Sequence, residues 1–129
     1  MSDKVRIAVI GAGRTGAPLI ENLIEIPYVD LVGICDKNPD CLGAEIARRY
    51  DIFFTEDVSV LAARGDEIDM IIEVTGNSSV KPILKDSFID QGNKTTMILH
   101  DLVARFVLSI ATGSNTLLHT YHPDDTGIG

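Results

Sequence analysis

The chain has 129 residues, 45% of them hydrophobic, enough for one domain spanning 1–129 around a single buried core. Its formal charge of −8, with no basic run to interrupt it, sets the surface against polyphosphate backbones and excludes nucleic acid as the expected ligand. No stretch reaches the roughly 18 consecutive apolar residues of a membrane span, and the opening MSDKVR is no signal peptide, so a cytoplasmic protein without membrane contact is expected.

Val5–Ile10 (VRIAVI) is a nearly continuous β-branched run, the pattern of a strand buried on both faces. Residues 15–26 place Leu19, Ile20, Leu23 and Ile24 on one helical face and stop before Pro27, with Pro18 tolerated in the first turn. Residues 29–35 return to strand composition and end at Asp36. Leu42, Ile46 and Ala47 predict a helix over 39–50, with Asn38 as its N-cap and Pro39 in its first position. Residues 52–55 (IFFT) read as a short strand, after which Asp57 or Ser59 opens a brief helix reaching Gly65. Residues 68–75 (IDMIIEVT) form another central strand. Ser78 or Ser79 then caps a helix with Val80, Ile83, Leu84 and Phe88 on one face, closed by Gly92. A fifth strand is expected over 95–100, an unusually apolar helix over 101–112, and a short sixth strand can follow at 116–121. Such alternation defines an α/β fold with a doubly wound parallel sheet, order 3-2-1-4-5. The broad apolar surface of the 101–112 helix suits a homodimer formed through it.

The glycines Gly11, Gly13 and Gly16 are spaced G-x-G-x-x-G, directly after one predicted strand and opening a helix. That context is what a phosphate loop requires. The first glycine allows the sharp turn, the second leaves room for a pyrophosphate, and the third lets the helix, whose first-turn N–H groups face the anion, approach the sheet. A purely structural glycine turn is the alternative. Asp36 stands twenty residues after Gly16, at the end of the next strand, where a carboxylate accepts from adenosine ribose hydroxyls. Such an acid favours NAD over NADP, because it repels a 2′-phosphate. Arg14 and Lys37 could supply counter-charge. The cofactor-binding set is therefore the loop Gly11, Ala12, Gly13, Arg14, Thr15 and Gly16, with Asp36 and Lys37. Thr75, Gly76 and Asn77 join it at the carboxyl end of the fourth strand, where the nicotinamide half belongs.

Other candidates favour bland readings. Glu73 interrupts an apolar strand and should face a polar edge or a helix N-terminus. His100 and Asp101 could form an acid/base pair, but Asp101 as N-cap with a partly buried His100 is preferred. His119, His122, Asp124 and Asp125 look superficially like metal ligands, yet a chain end is a poor place for a preorganised site, and no metal is assigned. Cys35 and Cys41 match no zinc or redox spacing and read as unpaired structural thiols.

The segments IAVIGAGRTG, LVGICDKNP, AEIARRY and IDMIIEVTGN resemble the N-terminal nucleotide-binding domain of the Gfo/Idh/MocA oxidoreductases and, more loosely, that of homoserine and aspartate dehydrogenases. The resemblance covers residues 5 to about 100. It implies a Rossmann fold with Gly11, Gly13, Gly16 and Asp36 on the cofactor and Thr75 to Asn77 near the nicotinamide ribose. It also implies a Glu-Lys-Pro segment after the fifth strand, whose lysine acts in proton transfer, and a second domain that holds the substrate. Here the strand end reads MILHDL, and the 129 residues leave no room for a second domain. An NAD(H)-binding module without a complete catalytic set is therefore expected, and no catalytic residue is assigned. The alternatives are the N-terminal part of a longer NAD-dependent dehydrogenase and a nucleotide- or redox-sensing domain of a signalling protein.

Overall fold

The structure, a computed structural model, describes residues 3–113 and Leu117. Five strands, β1 (Val5–Ile10), β2 (Val29–Cys35), β3 (Phe54–Thr55), β4 (Met70–Glu73) and β5 (Met97–Leu99), form one sheet in the order β3-β2-β1-β4-β5. Every pairing is parallel. The connections are α1 (Gly16–Ile24), α2 (Leu42–Tyr50), α3 (Val58–Ala62) and α4 (Val80–Gln91), and α5 (Asp101–Ala111) follows β5. This is the doubly wound α/β arrangement in the expected strand order.

The β-branched run of β1 is explained by its two covered faces. Ile7 and Val9 pack with Leu19, Ile20 and Leu23 of α1, Ile46 of α2 and Leu108 of α5, whereas Ala8 and Ile10 pack with Leu61 of α3 and Leu84 and Phe88 of α4. Alternate residues of one strand thus serve two cores. Glycine allows two of these layers to touch: a Cβ at Gly33 would lie 2.6 Å from Leu61 Cδ1, and one at Gly43 would lie 2.2 Å from Ala12 Cβ. At the amino edge of the sheet, Arg6 Nη2 reaches Asp69 Oδ1 at 2.8 Å, and the Arg6 backbone N–H donates to Asp69 Oδ2 at 2.8 Å.

Several local expectations are corrected. Helix α2 starts at Leu42, not at Pro39, because Asn38 builds a turn instead of a cap. Its Oδ1 accepts from Asp40 N–H at 2.9 Å and its carbonyl accepts from Cys41 N–H at 3.2 Å, leaving Cys41 at the cap position. Strand β3 occupies only two of the four residues expected, since pairing with β2 is confined to Ile34–Phe54 and Cys35–Thr55. On α4 the buried face carries Val80, Lys81, Leu84 and Phe88, while Ile83 is 40% exposed, so the helix is rotated from the face its apolar residues suggested. The 116–121 strand and the tail residues His119, His122, Asp124 and Asp125 fall, apart from Leu117, outside the described residues. Among the described residues no helix is long and apolar enough to cross a membrane.

Candidate functional site

The carboxyl ends of β1, β2, β3 and β4 surround one cavity of about 500 Å3. Its floor is the β1–α1 loop. Gly11 takes φ +96°, a conformation glycine adopts without strain, and a Cβ there would stand 3.0 Å from Thr75 N, so it also lets the β4 loop lie against β1. Gly16 is placed by contact: a Cβ would fall 1.6 Å from Gly11 O. Gly13 differs from both. Its φ lies outside the left-handed region and a Cβ would meet no heavy atom within 4 Å. The space above Gly13 belongs to the cavity, not to the fold.

Ala17 N–H donates to Gly13 O at 2.9 Å and starts the helical hydrogen-bond series, so the N–H groups before it lie ahead of the first intrahelical bond. Thr15, only 8% exposed, lines the same cavity, and its Oγ1 has no hydrogen-bond partner among the described residues. An apolar wall is added by Ile10, Val58, Val74 and Val80.

Asp36 is fixed before any ligand arrives. Its Oδ2 accepts from Ala12 N–H at 2.8 Å and its Oδ1 accepts from Asn38 N–H at 2.9 Å. The acid at the end of β2 is thereby tied to the loop at the end of β1. Cys35, at the end of the same strand, also lines the cavity. Burial, and then the charges of Asp36 and Asp57, push its thiol up to about 12.

At the end of β4, Glu73 is 1% exposed and accepts from both the backbone N–H and the hydroxyl of Thr75. The Thr75 hydroxyl in turn accepts from Asn77 N–H at 2.9 Å, and Asn77 Oδ1 accepts from Ser79 N–H at 2.9 Å. Glu73 therefore shapes the turn that presents Thr75 and Asn77, and Gly76, at φ +72°, completes the bend.

Of the eleven residues expected in the site, nine line the cavity; Ala12 and Gly76 do not. Ala12 is fully buried, its N–H on Asp36 and its carbonyl accepting from Gly43 N–H at 2.9 Å. The sequence reading missed Glu56, in the loop after β3, and Val58, the first residue of α3; the parallel β2–β3 register brings this segment to the cavity, and no motif marks it. His100 and Asp101 do not line the cavity either. The expected cap is reversed: His100 holds the N-cap of α5, its Nδ1 accepting from Leu102 N–H at 3.1 Å, and Asp101 is the first helical residue, 2% exposed. An imidazole at the cap and a carboxylate inside the first turn both suit the positive end of the helix. Among the described residues no group of three His, Cys, Asp or Glu could hold a metal ion.

A glycine loop at a helix N-terminus, an acid across the neighbouring strand and a cavity over the point where strand order reverses define a dinucleotide-binding Rossmann domain. Residues 5–97 match the Gfo/Idh/MocA oxidoreductase family, NAD-binding Rossmann fold, and the chain belongs to that family. Among solved structures it is similar to GenD2 from gentamicin A biosynthesis in complex with NAD (TM-score 0.57, 23% identity, 88% of this chain and 32% of that one). It is also similar to a myo-inositol dehydrogenase from Corynebacterium glutamicum (TM-score 0.58, 23% identity, 85% and 33%). A third is the scyllo-inositol dehydrogenase from Lactobacillus casei with bound cofactor NAD(H) and scyllo-inositol (TM-score 0.56, 18% identity, 85% and 33%). The chain thus spans about a third of the length of these structures. No curated protein matches it.

Proposed function

We propose that this chain is an NAD(H)-binding module that seats the cofactor of a Gfo/Idh/MocA-type oxidoreductase without itself carrying a complete catalytic set. One observation supports this reading above the rest: the glycine loop, Asp36 and the Thr75 to Asn77 turn line a single cavity whose floor at Gly13 is open. Gly11, Gly13, Arg14, Thr15 and Gly16 would hold the pyrophosphate, Asp36 and Lys37 the adenosine ribose, and Thr75 and Asn77 the nicotinamide side. Ala12 and Gly76 act from behind the wall as backbone supports. NAD bound there supplies a hydride acceptor. The chain contributes binding, orientation and an apolar wall, and Asp36 favours NAD over NADP by repelling a 2′-phosphate.

The reading of catalytic incompleteness rests on the end of β5. Where the family resemblance leads one to expect an acid/base lysine, the chain has His100 engaged as a helix cap and Asp101 buried. A proton donor must come within hydrogen-bond reach of the reacting group, and neither side chain lines the cavity. Calorimetry with NAD, NADH and NADPH on the parent and on Asp36→Ala tests the assignment. Absence of NAD and NADH binding by the parent would refute it, and unchanged discrimination against NADPH in the variant would remove Asp36 from its role.

We further infer a cytoplasmic homodimer through α5, because Leu102, Phe106 and Ile110 recur every fourth residue on that helix and are 51%, 57% and 65% exposed. Sedimentation of the parent and of Phe106→Glu should give a dimer and a monomer; a monomeric parent would end the inference.

A further inference from the structure

The adenosine end of the cavity carries a second carboxylate. In the parallel register of β2 and β3, Cys35 pairs with Thr55, and Asp36 N–H donates to Thr55 O at 3.2 Å. The next residue on the β3 side is Glu56, so the two acids leave adjacent strands at the same level, and both line the cavity. Asp57 follows, but its carboxylate is engaged in capping α3, its Oδ1 accepting from Ser59 N–H at 2.8 Å. Glu56 is exposed and makes no structural hydrogen bond or ion pair among the described residues. The basic side chains lining the cavity are Lys37, next to Asp36, and Arg14, on the phosphate loop.

We propose that Glu56 is a second specificity-determining residue, acting with Asp36 to exclude a phosphate from the 2′ position of the adenosine ribose. The proposal rests on the NAD-binding reading above and deepens it. Asp36 alone is an incomplete barrier. Both of its oxygens already accept a backbone N–H, which draws off part of its negative charge, and Lys37 beside it offers a phosphate an opposite charge. With Arg14 assigned to the pyrophosphate, the carboxylate of Glu56 adds a second negative charge against Lys37 at the ribose end. Because the rim is open to solvent, the repulsion acts through a high dielectric and is weakened by salt.

The test is the ratio of dissociation constants, Kd(NADP)/Kd(NAD), measured by calorimetry on the parent, Glu56→Gln and Glu56→Lys at low and high salt. Glutamine keeps the size of the side chain and one acceptor oxygen and removes its charge; lysine reverses it. The expected ratio falls about three- to tenfold in Glu56→Gln and further in Glu56→Lys, and the fall shrinks as salt is raised. An unchanged ratio in both variants, or NADP binding that stays undetectable in both while NAD binds, overturns the role of Glu56 and leaves the NAD-binding reading standing. A parent that binds neither dinucleotide overturns both. A change in ratio that salt does not touch refutes electrostatic exclusion.

Discussion

Gly13→Ala separates the binding function of the glycine loop from its folding function. The added methyl meets no heavy atom within 4 Å, and the backbone lies outside the left-handed region, so the folded state has no reason to resist it. The unfolded chain loses freedom, and stability should rise by about 0.4–1 kcal/mol, or a few degrees in Tm. The same methyl occupies the cavity floor where a pyrophosphate must approach the helix N-terminus. Forcing a well-packed group aside costs about 1–3 kcal/mol, which corresponds to roughly a five- to 150-fold weaker Kd for NAD. Gly16→Ala is the control with the opposite cause. Its methyl would lie 1.6 Å from Gly11 O, a backbone atom that cannot step aside, so α1 must move and stability should fall by about 3 kcal/mol or more. Thermal unfolding and calorimetric titration of the two variants check both halves. If Gly13→Ala binds NAD within twofold of the parent at undiminished stability, the pyrophosphate does not sit on this loop.

Other measurements probe the α2 contact, the thiols and the ion pair at the amino edge of the sheet. Gly43→Ala should destabilise the protein by about 1–2 kcal/mol despite the better helix former, because its Cβ would lie 2.2 Å from Ala12 Cβ; denaturant unfolding should show Ala12→Gly restoring part of the loss, a coupling absent if the contact is not made. Cys35, raised to about 12 by burial and neighbouring carboxylates, has about one thiolate in ten thousand at pH 8; it should resist a disulfide thiol reagent until the protein is denatured, while the less buried Cys41, also raised chiefly by burial, reacts sooner. The Asp69 carboxyl is held below its ordinary range by hydrogen bonds from the Arg6 guanidinium and then from its backbone N–H. A group with a lowered native value stabilises fully above its unfolded value and loses that contribution as pH falls through the native one. The urea midpoint difference between the parent and Asp69→Asn should therefore be present at pH 7 and shrink on acidification below the ordinary carboxylate range.

The architecture was legible because each central strand announces itself locally. Val5–Ile10 and Val29–Cys35 coincide with their predicted ranges, since runs buried on both faces need no tertiary information to be recognised. The edges of elements were less so. Asn38 satisfies both the description of a helix cap and that of a turn, and the bonds it accepts from Asp40 N–H and Cys41 N–H make it a turn. His100 and Asp101 both suit a helix N-terminus, and the choice between them depends on which backbone N–H each can reach. In the site, the glycine loop and Asp36 carry a spacing that chemistry explains, whereas Glu56 reaches the rim only through the pairing of β2 with β3. Pairing between strands distant in sequence leaves no mark at a single position. Gly43 was hidden for the same reason: its partner Ala12 is thirty-one residues away.

The tie between Asp36 and Ala12 changes how its substitution must be read. Each carboxylate oxygen has a further lone pair beyond the one given to Ala12 or Asn38, so ribose hydroxyls can be accepted without breaking either backbone bond. Removing the carboxylate therefore does two things at once: it takes away a ribose acceptor and releases the backbone N–H that anchors the middle of the phosphate loop. Loss of NAD affinity in Asp36→Ala mixes both effects and cannot by itself identify a ribose contact. The discrimination between NAD and NADP does not mix them, because a loosened loop weakens the shared pyrophosphate of both dinucleotides alike. The ratio of the two affinities is consequently the quantity that reports what Asp36 does at the ribose, and the absolute affinity reports how firmly it holds the loop.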